Sequence, residues 1–148
     1  FLFVEGESRK VGQVFIPQTF ANAMKSGKLV LLSATLETRI SRIVEEYNIC
    51  DAKSIQQIDS ILQSLKVALG KVKVEQLRLW LKQGEIENIV QMLLVDYYDP
   101  RYQHAMSSYD FAMELSAEDL NQAAAELITF RNQMIESHCL KSVSSKRL

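Results

Sequence analysis

Leu29-Val30-Leu31-Leu32-Ser33-Ala34-Thr35-Leu36-Glu37-Thr38-Arg39-Ile40 joins two kinds of order in one short stretch. Its first part, Leu29 to Ser33, opens with the unbroken apolar run Leu29 to Leu32, the pattern of a strand buried on both faces of a parallel sheet. Its second part opens a helix. Ile40, Ile43, Val44 and Tyr47 recur at helical spacing, and Arg39, Arg42, Glu45 and Glu46 fall mostly on the other faces. The chain therefore changes character near residue 36, from short apolar runs punctuated by turns to helical periodicity, which is an α/β reading rather than an all-helical one.

Upstream, Phe1 to Glu5 reads as a second buried strand, and Val11 to Ile16, apolar at alternate positions, as a short strand or an extended loop. Pro17 stops that segment before a brief helix over Gln18 to Lys25, which Ser26 and Gly27 end. A strand, a crossover and a strand, with carboxylates at the C-terminal end of the first, is the ligand-facing geometry of open α/β sheets. Downstream, Asp51 or Ser54 caps a helix whose stripe is Ile55, Ile58, Ile61, Leu62, Leu65 and Leu69, with Gly70 as its end. A third helix spans about Val74 to Lys82 and stops at Gly84. A fourth carries Ile86, Ile89, Val90, Leu93 and Leu94 into Tyr97 and Tyr98, and Pro100 is expected to break it. Tyr109 to Leu115 reads as a strand, and Ser116 with Asp119 as a capping box opening a last helix. The expected fold is helix-rich α/β: a parallel sheet from strands near 1–5, 29–33 and 109–115, with a helical insertion over 36–106. Residues 1–140 form a single domain in this reading, and 141–148 a flexible basic tail.

The 148 residues carry 17 basic and 18 acidic side chains, a net charge of -1, so no global field draws the chain to nucleic acid or anionic lipid. Any polyanion site has to be local. Cys50 and Cys139 form no CxxC pair, which argues against structural zinc and a disulfide framework and for a reducing, cytoplasmic setting. Apolar runs such as Phe1 to Val4 fall far short of the ~20 residues that cross a bilayer, so no membrane association is expected. Phe1 opens inside an expected strand without a Met or a basic leader, and sequence is expected to precede it.

Chemistry concentrates in Phe3-Val4-Glu5-Gly6-Glu7-Ser8-Arg9-Lys10-Val11-Gly12, where an apolar strand delivers carboxylates, a hydroxyl and cations into one glycine-bounded turn. Carboxylates there can hold Mg²⁺ directly or through water, and a guanidinium can grip phosphate oxygens bidentately. The same turn also suits plain pairing of its own charges. Arg39 and Arg42 share a helix face and can close over a phosphate, or pair with Glu45 and Glu46. Tyr97-Tyr98-Asp99-Pro100-Arg101-Tyr102 gathers three aromatics, an acid and a cation at a helix end, which suits base stacking or a pocket wall as well as simple packing. His104 and His138 have no metal-ligand spacing, and no metal site is expected. Neither cysteine has a cationic setting that would make it a nucleophile. No GxxxxGK followed by Ser or Thr occurs, so these residues do not cradle a triphosphate alone.

Phe3 to Gly12, then Ile16-Pro17, Ala23-Met24, Glu37-Thr38-Arg39-Ile40, Glu45-Glu46-Tyr47, Leu65-Lys66 with Leu69-Gly70, and Leu93-Leu94 before Tyr97-Tyr98-Asp99-Pro100-Arg101-Tyr102 follow in order the C-terminal half of bacterial tRNA 2-selenouridine synthases. The resemblance covers nearly the whole chain to about Tyr102. It implies a partial P-loop-NTPase-like sheet downstream of the phosphate loop, in a two-part enzyme whose other part is a rhodanese-like domain bearing the catalytic cysteine. That rhodanese-like domain and the phosphate loop are the partners expected elsewhere in the same protein, and the isolated piece is expected to be inactive.

The family replaces the sulfur of wobble 2-thiouridine in tRNA with selenium from selenophosphate, and attaches a geranyl group from geranyl diphosphate to that sulfur. By position, the resemblance assigns Glu5, Glu7, Ser8, Arg9 and Arg39 to phosphate or diphosphate contact, with Mg²⁺ as a candidate ion and no cofactor resident in this chain. It assigns Arg42, Tyr97, Tyr98, Arg101 and Tyr102 to a tRNA-facing or substrate wall. Gly6 stands where the family pattern has an acid, which removes one candidate ligand. Two other readings suit the same residues: a non-catalytic helical module that binds RNA or protein through the aromatic patch and basic tail, and a fragment of a P-loop-type small-molecule kinase.

Overall fold

The computed structural model describes residues 2–6, 10–47 and 52–144, apart from the side chains of residues 11, 52, 105 and 138–144. The elements in chain order are β1 (Lys10–Val11), β2 (Val14–Phe15), α1 (Gln18–Lys25), β3 (Leu29–Ser33), α2 (Leu36–Glu46), α3 (Ala52–Ser64), α4 (Lys66–Leu69), α5 (Lys71–Gln83), α6 (Ile86–Leu93), a π-helical segment (Leu94–Tyr98), α7 (Asp99–Met106), β4 (Phe111–Ser116) and α8 (Leu120–Ser144). They divide into two units: Phe1–Ser33 with Asp110–Leu148, and Ala34–Tyr109. The second of these is the helical subregion expected over 36–106.

In the first unit β3 and β4 pair in parallel, from Leu29 opposite Phe111 to Ser33 opposite Ser116, with an irregularity between Leu29 and Val30. The Ala117 N–H donates to the Ser33 carbonyl at 2.7 Å and continues the ladder past the strand end. Parallel strands need a long connection, and here the entire helical unit lies between them in sequence. The α/β class and the parallel pairing agree with the sequence reading, but the expected burial on both faces does not: no residue of β3 is buried and Leu32 is 51% exposed, because β3 lies in a two-stranded sheet. Phe1 to Glu5 does not: residues 2–6 belong to no ladder, and Leu2 is 80% exposed. A strand forms only where a neighbour takes its backbone N–H and C=O groups, and the ladder partner of β3 is β4.

Val11 to Ile16, left open as strand or loop, is part of a hairpin: β1 pairs antiparallel with β2 across Gly12 and Gln13. Gly12 has φ 61° while Gln13 keeps a negative φ, the pattern of a type II′ turn with glycine at its first central position. On the neighbouring register pair, the Lys10 ammonium lies 5.7 Å from the centre of the Phe15 ring.

The last helix starts later than the capping-box reading expects. Ser116 is the final residue of β4, opposite Ser33, and its hydroxyl accepts the Glu118 N–H, short of the helix; Asp119 caps, its carboxylate accepting from the Asn121 and Gln122 N–H groups at 2.8 and 3.1 Å. The helix then runs to Ser144, so the first residues of the expected tail are its last turn, and residues 145–148 lie outside those described.

The helical unit packs around Leu62 of α3, Leu77 and Leu81 of α5 and Ile89 of α6, with Ile58, Leu65, Leu69 and Trp80 against them. These residues lie on the apolar stripes read from the sequence, but Ile55 and Ile61 of the expected α3 stripe are 40% and 60% exposed. α5 contacts α3, α4 and α6, and α6 contacts α2. Gly84 ends α5 with φ 75°: its N–H donates to the Leu81 carbonyl and that of Glu85 to Trp80, a Schellman closure. The expected single helix ending at Gly70 is divided by a turn at Leu65 into α3 and α4, and α5 begins at Lys71 rather than at Val74.

Pro100 was expected to break its helix and does not; it sits in the first turn of α7. The five-residue π segment before it bonds the Asp99 N–H back to the Leu94 carbonyl. That wider turn makes room for a proline ring, whose missing N–H costs least in a first turn.

Candidate functional site

α2 begins where Thr35 accepts the Thr38 N–H on its hydroxyl at 3.3 Å. Arg39 follows in the first turns, on the half-buried side of the helix. Its partner lies sixty positions away: the two Nη atoms donate to the two carboxylate oxygens of Asp99 at 2.9 and 2.8 Å. This end-on bidentate pair has side chains 33% and 28% exposed, and the bond to Asp99 raises the Arg39 pKa above its already high ordinary range. The Arg39 Nε is buried and makes no hydrogen bond. The pair ties α2 to the first residue of α7, directly after the π segment.

That segment presents the aromatics. Tyr97 and Tyr98 meet edge to face with centroids 5.1 Å apart and planes at 89°. The Arg101 guanidinium stacks 3.7 Å from the Tyr97 ring centre and donates to the Tyr97 carbonyl, so a half-buried ring carries an oriented cation. Tyr98 and Tyr102 are 45% and 59% exposed. Lys73 of α5 holds Asp96, in the same π segment, at 3.0 Å. Two ion pairs, one from α2 and one from α5, therefore anchor the segment that carries the tyrosines.

The structure thus brings Arg39 together with the Tyr97 to Tyr102 motif, and the residue joining them is Asp99, to which the sequence reading gave no role. Arg42 is half-buried on α2, three positions after Arg39. Glu5 is exposed, outside any ladder. Glu7, Ser8 and Arg9 lie outside the described residues, as do Cys50 and the side chains of His138 and Cys139. His104 is exposed on α7. Among the described residues no three His, Cys, Asp or Glu side chains are grouped to hold a metal ion, and no helix is long and apolar enough to cross a membrane.

A second clamp escaped the sequence reading as well. Arg78 of α5 donates through Nε and Nη2 to the two oxygens of Asp59 on α3 at 2.7 and 3.1 Å, and Gln63 donates to the same carboxylate at 2.8 Å. The Arg78 bond, then that of Gln63, holds the Asp59 carboxyl below its ordinary range. Its position joins α3 to α5 beside the core and away from the tyrosines in sequence, so it reads as a brace.

The chain is 27% identical over 133 residues to a tRNA 2-selenouridine synthase of Hydrogenovibrio crunogenus, an alignment covering 78% of this chain and 37% of that protein. It is 27% identical over 131 residues to the enzyme of the same name from Alcanivorax borkumensis, covering 72% and 36%. With that of Marinobacter nauticus it shares 24% over 153 residues, covering 86% and 40%. The chain therefore spans well under half the length of these relatives. No solved structure matches it. Residues 1–133 match the tRNA 2-selenouridine synthase AAA domain, the family already read from the order of the motifs, and the chain belongs to that family.

Proposed function

We propose that this chain is part of an enzyme that modifies tRNA, replacing the sulfur of wobble 2-thiouridine with selenium from selenophosphate by way of a geranylated intermediate. The observation that carries the reading is the family match over residues 1–133. In this reading geranyl diphosphate alkylates the sulfur and releases diphosphate, which turns the sulfur into a leaving group. The selenium of selenophosphate then bonds to the base carbon as the carbon–sulfur bond breaks and geranylthiol leaves, and water cleaves the selenium–phosphorus bond to release phosphate. Catalytic groups are assigned to a rhodanese-like domain and a phosphate loop elsewhere in the full-length protein, and the isolated chain is inactive.

The work of these residues is binding and orientation. Glu5, Glu7, Ser8 and Arg9 are assigned to diphosphate contact: a guanidinium offers parallel N–H donors to phosphate oxygens, and carboxylates would hold water or Mg²⁺. Tyr98 and Tyr102, exposed on one helical run, offer ring faces to an unstacked base, and Arg101, oriented by Tyr97, offers its outer N–H groups to the tRNA backbone. Arg42 completes this cationic and aromatic side.

The test uses the full-length protein with tRNA carrying wobble 2-thiouridine, geranyl diphosphate and selenophosphate, read by mass spectrometry of the released nucleosides. Appearance of 2-selenouridine is expected. Arg9→Ala is expected to weaken geranyl diphosphate binding roughly tenfold, the loss of one charge-assisted contact, with an unchanged circular dichroism spectrum. Unchanged affinity would remove the acidic turn from the site.

A further inference from the structure

An arginine that grips a ligand phosphate keeps its fork of N–H donors for the ligand. Arg39 gives one N–H of each Nη to Asp99 in an end-on pair, and its Nε is buried, so the fork itself is turned to the carboxylate. What the pair fixes is the start of α7, adjoining the π segment whose Tyr97 and Tyr98, with Arg101 and Tyr102 of α7, make up the aromatic side. A π turn carries one residue more per hydrogen-bonded ring than an α turn, so a helix that relaxed to α would rotate every later side chain by about 100°. The carboxylate of Asp99, at the junction, stands where a tie to another element opposes that rotation. The second tie, Lys73 to Asp96 within the π segment, acts on the same residues from α5.

We propose that Arg39 and Asp99 are positioning residues: their ion pair holds the π segment in register so that Tyr98, Arg101 and Tyr102 face the tRNA, and Arg39 itself touches no phosphate. The inference rests on the tRNA-facing reading of the tyrosines, which it deepens by giving Asp99 a role and changing that of Arg39.

Salt dependence of tRNA affinity separates a positioning cation from a phosphate-binding one. A side chain that neutralises a phosphate contributes to the slope of log affinity against log salt, and its removal lowers that slope by roughly one. The probe is tRNA carrying wobble 2-thiouridine, titrated against the full-length protein at several salt concentrations. Arg39→Lys, which keeps the charge but loses the fork, and Asp99→Asn are each expected to weaken binding about five- to tenfold with the slope unchanged. Asp99→Glu, which keeps the carboxylate, is expected to recover most of the loss, and Arg39→Lys serves as the measured variant if Asn at position 99 lowers the melting temperature too far.

Tighter binding by Asp99→Asn, or a slope reduced by about one in Arg39→Ala, would make Arg39 a phosphate contact that Asp99 competes for, and would overturn the proposal. Unchanged affinity in both, with Tyr98→Ala still weakening binding, would reduce the pair to a structural brace and overturn it too. Should Tyr98→Ala and Tyr102→Ala leave affinity unchanged as well, it is the tRNA-facing reading of this side that fails, and the positioning role falls with it.

Discussion

Asp59 is a single residue on which pH acts in a defined direction. Arg78 and Gln63 bond its ionised form and hold its pKa below the unfolded value of about 4. A carboxylate depressed by folding contributes stability that is present above the unfolded pKa and is lost as pH falls through the folded one. Wild type is therefore expected to exceed Asp59→Asn in stability at neutral pH, with the difference shrinking as pH falls from roughly 5 to below 4. Urea unfolding of both at several pH values checks this; a difference independent of pH would mean the clamp does not depend on the charge. At the same scale Arg39 was legible as a chemistry-bearing residue, since a helix-borne guanidinium just after an apolar strand stands out. Its partner was not, because nothing local marks one carboxylate sixty positions away over another.

At the scale of elements, periodicity served well for α5 and α6, whose stripes face the core, and failed at boundaries set by neighbours. The cap of α8 is one such boundary. Asp119, not Ser116, accepts two otherwise unpaired first-turn N–H groups. Asp119→Ala is expected to cost about 1 kcal/mol and to speed hydrogen exchange at the Asn121 and Gln122 amides selectively, while Ser116→Ala leaves those amides unchanged. Equal effects from the two substitutions would restore the capping box. Pro100 makes the complementary point: read locally it is a breaker, yet it is accommodated by the π turn that precedes it.

Across the whole chain the two units differ in how they bury apolar surface. The helical unit has a core led by Leu62, Leu77 and Val74, while among the described residues of the sheet unit those buried are Leu115 and the small Ala21, Ala117 and Ala123. Leu77→Ala, at a side chain with no exposure, is expected to cost roughly 2–5 kcal/mol, whereas Val67→Ala, fully exposed on α4, should stay within about 0.5 kcal/mol. Thermal melts of the two variants beside wild type check the contrast, and similar losses would mean that Leu77 is not at the packing centre. On the other side, Leu2, Val14, Phe15 and Leu120 are exposed in the sheet unit.

The sequence by itself determined what short-range patterning encodes: the α/β class, the helical stripes, the glycine stops and, through the order of its motifs, the family. Only the tertiary structure decided which distant groups meet. It paired Arg39 with Asp99 and Asp59 with Arg78, set a π turn before Pro100, and left residues 2–6 outside any ladder. The physical reason is common to all four. A side-chain pattern records which face of an element avoids water, but an ion pair, a helix register or a strand exists only when a second element stands within hydrogen-bonding distance.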